Sequence, residues 1–445
     1  MGRALLTDLY ELNMAASYLR RGMVAPATFS LFVRALPEGW GFLVACGLER
    51  CLEYLESLRF SDEDLDYLRR EAGYPEEILE AFRALRFTGE VRAIPEGRVF
   101  FPDEPLLEVT APLPEAQLVE TYLLNQVTYQ TAIASKAARC RIVAPDADLV
   151  DFAMRRVHGG EASIAVARAT AIAGFSATSN VEAARVLGLR ATGTMAHSYV
   201  EAFPSEAEAF RAFAEDFPDR VTLLVDTYDT ERGIQKAIGI ARELAERGAP
   251  GVRGIRLDSG DLAALSVSAR AALDEAGLTD VRILASGGLD EHTIARLVAA
   301  GAPIDAYGVG TKIGVAADSP ALDSVYKLVQ YDGEPVAKLS TAKATLPGPK
   351  QVWRGSGADV IGLADDEPPD VQEGRPLLET VMRDGARTAE PFSFEAATRR
   401  FDADVTALPG HLRTLQPGRY EVRRSPALAA LAVSVREDIV ARELG

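Results

Sequence analysis

GIRLDSGDLAALSVSARAALDEAGLTDVRILASGG, residues 254–288, contains one full period of the fold. A short, mostly apolar run (GIRL) ends in the polar turn DSG. Leu262 to Ala276 then place Ala, Leu, Glu and Arg at helical spacing, and a second run (RILA) ends in SGG. Short apolar runs bounded by turn residues read as buried strands, and the segment between them has the length and period of a helix. The period recurs on both sides. LVDFAMR (149–155), FSATSN (175–180), LRATGT (189–194), TLLVDTYD (222–229) and AYGVGT (306–311) each precede polar or glycine residues and a helical stretch, such as Glu231 to Arg247. Seven strand–helix alternations predict an α/β fold whose parallel sheet is closed, or nearly closed, into a barrel; a doubly wound open sheet is the alternative. In such a barrel the chemistry sits at the C-terminal strand ends. Polar residues fall there: Arg155, Ser179, Thr194 with His197, Asp226, Asp258, Ser286 and Thr311.

Outward from this core the rhythm changes. Leu9, Leu12, Met14, Ala15 and Leu19 predict an amphipathic helix over Thr7 to Arg21. Ala27 to Val33 reads as a strand and Gly47 to Leu58 as a helix, with an acidic helix start at Ser61 to Asp66. Phe87 to Pro114 is proline-punctuated and β-like, and Pro114 to Cys140 is helical. Val325 to Tyr331 and Pro335 to Ser340, joined by Asp332-Gly333, predict a β-hairpin. The remainder carries little pattern, apart from the apolar run Ala427 to Val435 behind Ser425-Pro426. That run predicts a packed helix, being far short of the roughly 20 residues that cross a bilayer.

With 445 residues the chain has room for two or three domains. Its 48% hydrophobic and 25% charged residues are ordinary for a soluble globular protein. Lys and Arg number 48 against 65 Asp and Glu, a net charge of −17 that repels nucleic acid and anionic membranes, so any bound phosphate must meet a local site. Three cysteines and four histidines form no disulfide framework and no zinc motif, and Asp8 and Glu11 interrupt any leader-like apolar core; the expected location is the cytoplasm.

Four constellations can carry chemistry. Ser286-Gly287-Gly288 and Gly308-Val309-Gly310-Thr311 follow adjacent strands, and glycines there let backbone N–H groups approach an anion; the plain alternative is two tight turns. No GxxxxGK[ST] loop is present, and GVGTKIG misses GxGxxG spacing. Arg256 with Leu257-Asp258-Ser259-Gly260-Asp261 offers carboxylates for a ribose diol or a metal and a guanidinium fork for an anion, or else a helix N-cap. His197, in GTMAHSY (193–199), stands where an imidazole acts as base or as nucleophile toward phosphate, with Asp226 expected to orient it; His158, His292 and His411 read as structural. Asp151-Phe152-Ala153-Met154-Arg155-Arg156 brings positive charge to a strand end for an anionic substrate, or for a surface ion pair.

The order TDLYELNMA, DFAMRR, FSATSN, GTMAHS, VDTYD, RLDSGD, SGG, GVGT, from about Leu5 to Ser340, resembles the nicotinate phosphoribosyltransferase family of type II phosphoribosyltransferases. The resemblance implies an incomplete (β/α) barrel and a second α/β domain built from N-terminal and C-terminal segments. It places an N-terminal domain at 1–118, whose opening helix contributes to the active site, the barrel at 119–345, and a C-terminal segment at 346–445 that packs on the N-terminal domain. It implies transfer of nicotinate onto phosphoribosyl pyrophosphate in NAD biosynthesis, coupled to ATP hydrolysis through a phosphohistidine. The expected cofactor is Mg²⁺ held mainly by pyrophosphate, with no direct protein ligand, and the expected assembly is a homodimer with shared sites.

By the same resemblance His197 is the phosphorylated residue, Asp226 its neighbouring carboxylate and Asp258 the ribose carboxylate. Tyr10, reaching from the neighbouring subunit, Arg155, Thr194 and Arg256 hold the pyridine and its carboxylate, and Ser286, Gly287, Gly288, Gly310 and Thr311 hold the 5′-phosphate. Ser179 stands where the related nicotinamide enzymes carry Asp. A carboxylate there would accept from an amide and repel nicotinate, so the uncharged residue favours the acid. A cysteine-based zinc knuckle found in some relatives has no counterpart after Cys140. Lys136 and Arg139, on the helix before the barrel, read as helix-surface charges, with reach to the pyrophosphate as the alternative. The competing readings are transfer to nicotinamide or quinolinate, and a sugar-phosphate aldolase or isomerase, for which Lys312 is the lysine in the strand-end motifs.

Overall fold

The computed structural model of the chain describes residues 3–339, 345–367, 374–388 and 390–443. The chain forms two compact units, Met1–Ala132 with Ala321–Gly445, and Ile133–Pro320. The expectation put the divisions at 118/119 and 345/346. The continuous helix Glu120–Val143 spans the 132/133 boundary between the units.

In the second unit six strands form one all-parallel sheet: Asp148–Asp151, Ala177–Thr178, Thr222–Leu224, Gly254–Leu257, Arg282–Ala285 and Ala306–Val309. Their spatial order is second, first, sixth, fifth, fourth, third. Each step from one strand to its sequential neighbour within this order runs the same way. Right-handed crossovers therefore lay every connecting helix on one face, and the other face can be buried only by curling on itself. A doubly wound sheet would reverse direction and carry helices on both faces. The sheet is an incomplete barrel in which the first and last strands pair, Ala306 opposite Asp148, and the gap falls between the second and third. Leu149, Leu223, Leu224, Ile255, Leu257, Ile283, Ala285 and Val309 are fully buried, as expected of strands covered on both faces.

The seventh run, LRATGT, does not become a strand. It contributes one parallel bridge, Ala191 to Thr178, because Arg190, Ala191 and Gly193 are exposed and give no apolar face to bury. The strand-to-helix turns are closed by side chains accepting from the first helical turn: Asn180 from Ala183 N–H, Asp229 from Arg232, Asp261 from Ala263 and Ala264, and Asp290 from Thr293.

The first unit is built from both ends of the chain. Its seven-stranded antiparallel sheet sets Pro26–Val33 between Ser324–Tyr331 and Pro105–Pro112, and Glu90–Ala93 between Pro105–Pro112 and Glu379–Arg383. The predicted hairpin forms around Asp332-Gly333, both at positive φ (50° and 79°), but its second strand pairs only at Glu334–Pro335; Ser340 lies outside the described residues. The unpatterned tail holds a four-stranded sheet of Arg375–Pro376, Lys350–Arg354, Ala358–Leu363 and Glu421–Arg424, together with the helices Phe394–Ala407 and Pro426–Glu443. The last helix starts at Ser425, whose hydroxyl accepts from Leu428 N–H. It is less packed than expected, since only Leu428 and Val435 are buried. No described helix is long and apolar enough to cross a membrane.

Candidate active site

Register brings the polar strand ends of the barrel to one level. Leu224 pairs with Arg256 and Ala285 with Leu257, so Asp226, Asp258 and Ser286, the first polar residues beyond these strands, are neighbours at the C-terminal end. Arg256 ties them together. Its Nε donates to Ser286 Oγ (2.8 Å), Nη1 to Thr194 Oγ1 (2.9 Å) and the Met195 carbonyl (3.2 Å), and Nη2 to Asp258 Oδ1 (2.8 Å). Its guanidinium carbon stands 5.8 Å from the centre of the Phe152 ring.

Asp258 Oδ1 also accepts from the Ser286 hydroxyl (2.5 Å), while Oδ2 faces His197 Nε2 at 4.0 Å. Burial works against ionisation of Asp258, but the Ser286 hydroxyl and the Arg256 guanidinium outweigh it and hold the carboxyl below its usual range. A carboxylate fixed in this way keeps its negative charge at any working pH.

Two sequence readings need correction. Asp226 does not orient the imidazole. Its Oδ2 accepts from Asp258 N–H (2.9 Å) and Ser259 Oγ (2.7 Å), clamping the next strand end, while His197 Nδ1 bonds to Thr227 Oγ1 (3.2 Å). Arg256 does not hold its fork open for a ligand but spends it on the site's own groups. Thr227 escaped the sequence reading of the site, and Ser259 and Phe152 entered it only as members of quoted stretches. The signal for the first two was adjacency: each follows a strand-end aspartate.

The glycine corners join the same network. Gly287 (φ 89°) and Gly288 (φ 66°) occupy the left-handed region, and a Cβ on Gly287 would lie 1.9 Å from the Asp258 carbonyl, so only glycine fits. Gly308 packs against the Phe152 ring and Gly310 against the Phe152 backbone, where any Cβ would crowd them at 2.5 Å and 3.1 Å. Thr311 is exposed at the start of the turn that follows. Arg155 is exposed on the turn Met154–Arg156. Ser179 is half-buried beyond the second strand, its N–H bonded to the Asp151 carbonyl (2.8 Å). Tyr10 belongs to the first unit, where it is half exposed on the helix Leu9–Arg20.

Lys312, the lysine a Schiff-base reading requires, is ion-paired with Asp290 at 2.6 Å. That pairing occupies the nitrogen a Schiff base would need free to attack a carbonyl. Lys136 and Arg139 are not surface charges either: both are buried against Glu291. Among the described residues no group of three or more His, Cys, Asp or Glu could hold a metal ion. Asp226 Oδ1 is buried with no hydrogen-bond partner among them.

Comparison with known proteins gives consistent likenesses. A family model described as the nicotinate phosphoribosyltransferase (NAPRTase) N-terminal domain matches residues 5–128, and the NAPRTase family model matches residues 147–348. The chain is 47% identical to a nicotinate phosphoribosyltransferase of Mycobacterium tuberculosis, over 94% of this chain and 90% of that one. It is 48% identical to that of Bacillus subtilis, over 82% and 77%. The crystal structure of human nicotinic acid phosphoribosyltransferase superposes with a TM-score of 0.85 at 30% identity, covering 96% of this chain and 99% of the human one.

Proposed function

The chain belongs to the nicotinate phosphoribosyltransferase family, and from that premise we propose that it joins nicotinate to phosphoribosyl pyrophosphate, giving nicotinate mononucleotide and pyrophosphate for NAD synthesis. The observation that carries this reading is the closed network of Arg256, Asp258, Ser286 and Thr194 beside two glycine corners at one end of the barrel.

In the transfer, the pyridine nitrogen forms a bond to ribose C1 as the C1–O bond breaks, and the electron pair leaves with pyrophosphate. Positive charge develops on the sugar. Asp258, kept ionised by Arg256 and Ser286, is the preorganised counter-charge and ribose ligand. The ring nitrogen carries no proton, so no base is required. The backbone turns at Ser286, Gly287, Gly288, Gly310 and Thr311 receive the 5′-phosphate. Because Arg256 is engaged internally, exposed Arg155 is the cation for the nicotinate carboxylate, with Thr194, and Tyr10 from a second copy of the chain, framing the ring. Uncharged Ser179 leaves that carboxylate unrepelled.

Mg²⁺ fits this site as an ion carried chiefly on substrate oxygens, which it would polarise toward departure. Asp226 Oδ1 is the network oxygen left uncommitted among the described residues, and Mg²⁺ commonly takes only one or two protein carboxylates. ATP enters through His197. With Nδ1–H donated to Thr227, the Nε2 lone pair attacks the γ-phosphoryl and ADP leaves. The phosphoryl group then stands beside Asp258, and repulsion between the two anions links phosphorylation to the ribose site. A homodimer in the cytoplasm completes the reading. Leu6, Leu9, Tyr10 and Val24 are exposed on or near the opening helix, a surface suited to a second copy, and all three cysteines are buried.

The deciding experiment measures pyrophosphate release with nicotinate, nicotinamide and quinolinate side by side, with Mg²⁺ and with or without ATP. Nicotinate is expected to lead by about tenfold or more in kcat/KM, with ATP stimulating turnover. Preference for either competitor defeats the substrate assignment. His197→Ala is expected to abolish acid-labile phosphate incorporation from γ-labelled ATP while leaving slow, ATP-independent transfer at high substrate. Undiminished label in that variant would remove the histidine from the coupling.

A further inference from the structure

The two glycine corners are braced by a set of buried and half-buried charges that the mechanism above does not use. Lys136 and Arg139, three residues apart on one face of the helix Glu120–Val143, converge on Glu291, the fully buried first residue of the helix Glu291–Ala299. Lys136 Nζ donates to both Glu291 oxygens (3.0 Å each) and Arg139 Nε donates to Oε1 (2.9 Å). The same ammonium reaches Asp318 (2.5 Å), which follows the helical turn Thr311–Gly314. A second strut runs in parallel: Lys312, in that turn, donates to Asp290, the N-cap behind Ser286-Gly287-Gly288 (2.6 Å). Each strut has one end behind the first glycine corner and the other behind the second.

Three cations (Lys136, Arg139, Lys312) meet three carboxylates (Asp290, Glu291, Asp318), so the frame is neutral and adds no net attraction for an anion. Burial of Lys136 disfavours its charge, but Glu291 and Asp318 more than restore it. Burial of Asp290 is likewise outweighed, by Lys312 and the Thr293 N–H, which hold the carboxyl down at about 2. Lys136 and Asp290 are therefore ionised wherever the enzyme works. Buried pairs add little net stability but fix geometry, and the geometry fixed here is the separation of two backbone turns.

We propose that Lys136 is a positioning residue that registers the two phosphate-binding turns against each other through Glu291 and Asp318. The proposal rests on the reading that these turns receive the substrate phosphate. Neither Lys136 nor Asp318 touches the ligand; they set the aim of N–H groups that do, and sub-ångström misplacement of such donors is costly.

Two variants test this in the full chain. Asp318→Asn cuts the strut at its partly exposed end, and Lys136→Met leaves Glu291 paired with Arg139. Both are expected to raise KM for phosphoribosyl pyrophosphate by about tenfold while KM for nicotinate stays within about twofold. Calorimetric titration with inorganic phosphate should show the same loss of affinity. A rise of both KM values together, or unchanged phosphate affinity in both variants, overturns the proposal. If the wild type releases no pyrophosphate with nicotinate, the substrate reading fails, and the phosphate titration still decides whether the frame aims the turns.

Discussion

Asp258→Asn is expected to lower kcat/KM for phosphoribosyl pyrophosphate by about 10²–10³-fold, the range seen when a preorganised electrostatic group is removed from a transition state. The substitution keeps the shape of the side chain and an oxygen to accept from Arg256 and Ser286, and it leaves the Asp258 N–H bonded to Asp226, because that bond comes from the backbone. What it removes is the charge that faces His197 and that the proposed function sets against the developing oxocarbenium. Ser286→Ala is the control. It deletes a donor to the same oxygen and the acceptor of Arg256 Nε, bonds to charged groups worth about 1.5–3 kcal/mol, or roughly 10–150-fold, while leaving the Asp258 charge in place. Steady-state kinetics with both substrates, paired with thermal melts to confirm folding, separate the two. If Asp258→Asn falls no further than Ser286→Ala, the carboxylate is a strut for Arg256 and the ribose assignment is wrong.

The strand ends were legible because a parallel sheet repeats one message, an apolar run closed by a polar turn, and the message survives in runs as short as RILA. Which strand ends touch was not legible. Asp226 bonds to the Asp258 backbone because Leu224 lies opposite Arg256, so residues two further along each strand come level; register is a property of the sheet, absent from either segment alone. His197 begins a short helix rather than ending a strand, and its Nδ1 finds the hydroxyl of Thr227, whose only mark in the sequence is that it follows Asp226. Lys136 and Arg139 misled for a related reason. Charges three apart on a helix read as a solvated face, and only Glu291 and Asp318, both distant in sequence, make burial tolerable. The tail after Lys350 was opaque because its strands are short and take partners far away in sequence, as when Glu379–Arg383 pairs with Glu90–Ala93.

That tail supplies the second large effect: Asp404→Ala is expected to destabilise the first unit by about 3–5 kcal/mol, the usual result of removing one partner from a buried ionic network. The Asp404 side chain is 2% exposed and accepts from Arg98 Nη1 (2.8 Å), Val99 N–H (3.0 Å), Arg354 Nη1 (3.3 Å) and Arg375 Nη2 (2.6 Å). Arg354 is also bound to Asp359 (2.6 Å), which receives the Tyr420 hydroxyl (3.0 Å). One carboxylate thus joins an N-terminal strand end to three separate C-terminal segments. Its loss strands a backbone N–H and the Arg98 charge, and takes one partner each from Arg354, still bound to Asp359, and from partly exposed Arg375. Nearby Glu104 cannot readily replace it, since burial and then the charge of Asp359 push its carboxyl well above the ordinary range, favouring the neutral form. Both tryptophans, Trp40 and Trp353, are buried in this unit, so their fluorescence during urea denaturation reports its unfolding separately from the barrel. Asp404→Asn, which keeps an acceptor for Val99 and loses the charge, should fall between wild type and Asp404→Ala. An alanine variant within about 1 kcal/mol of wild type would mean that the arginines re-pair with Asp359 or reach water, and that the C-terminal strands are held by their apolar contacts instead.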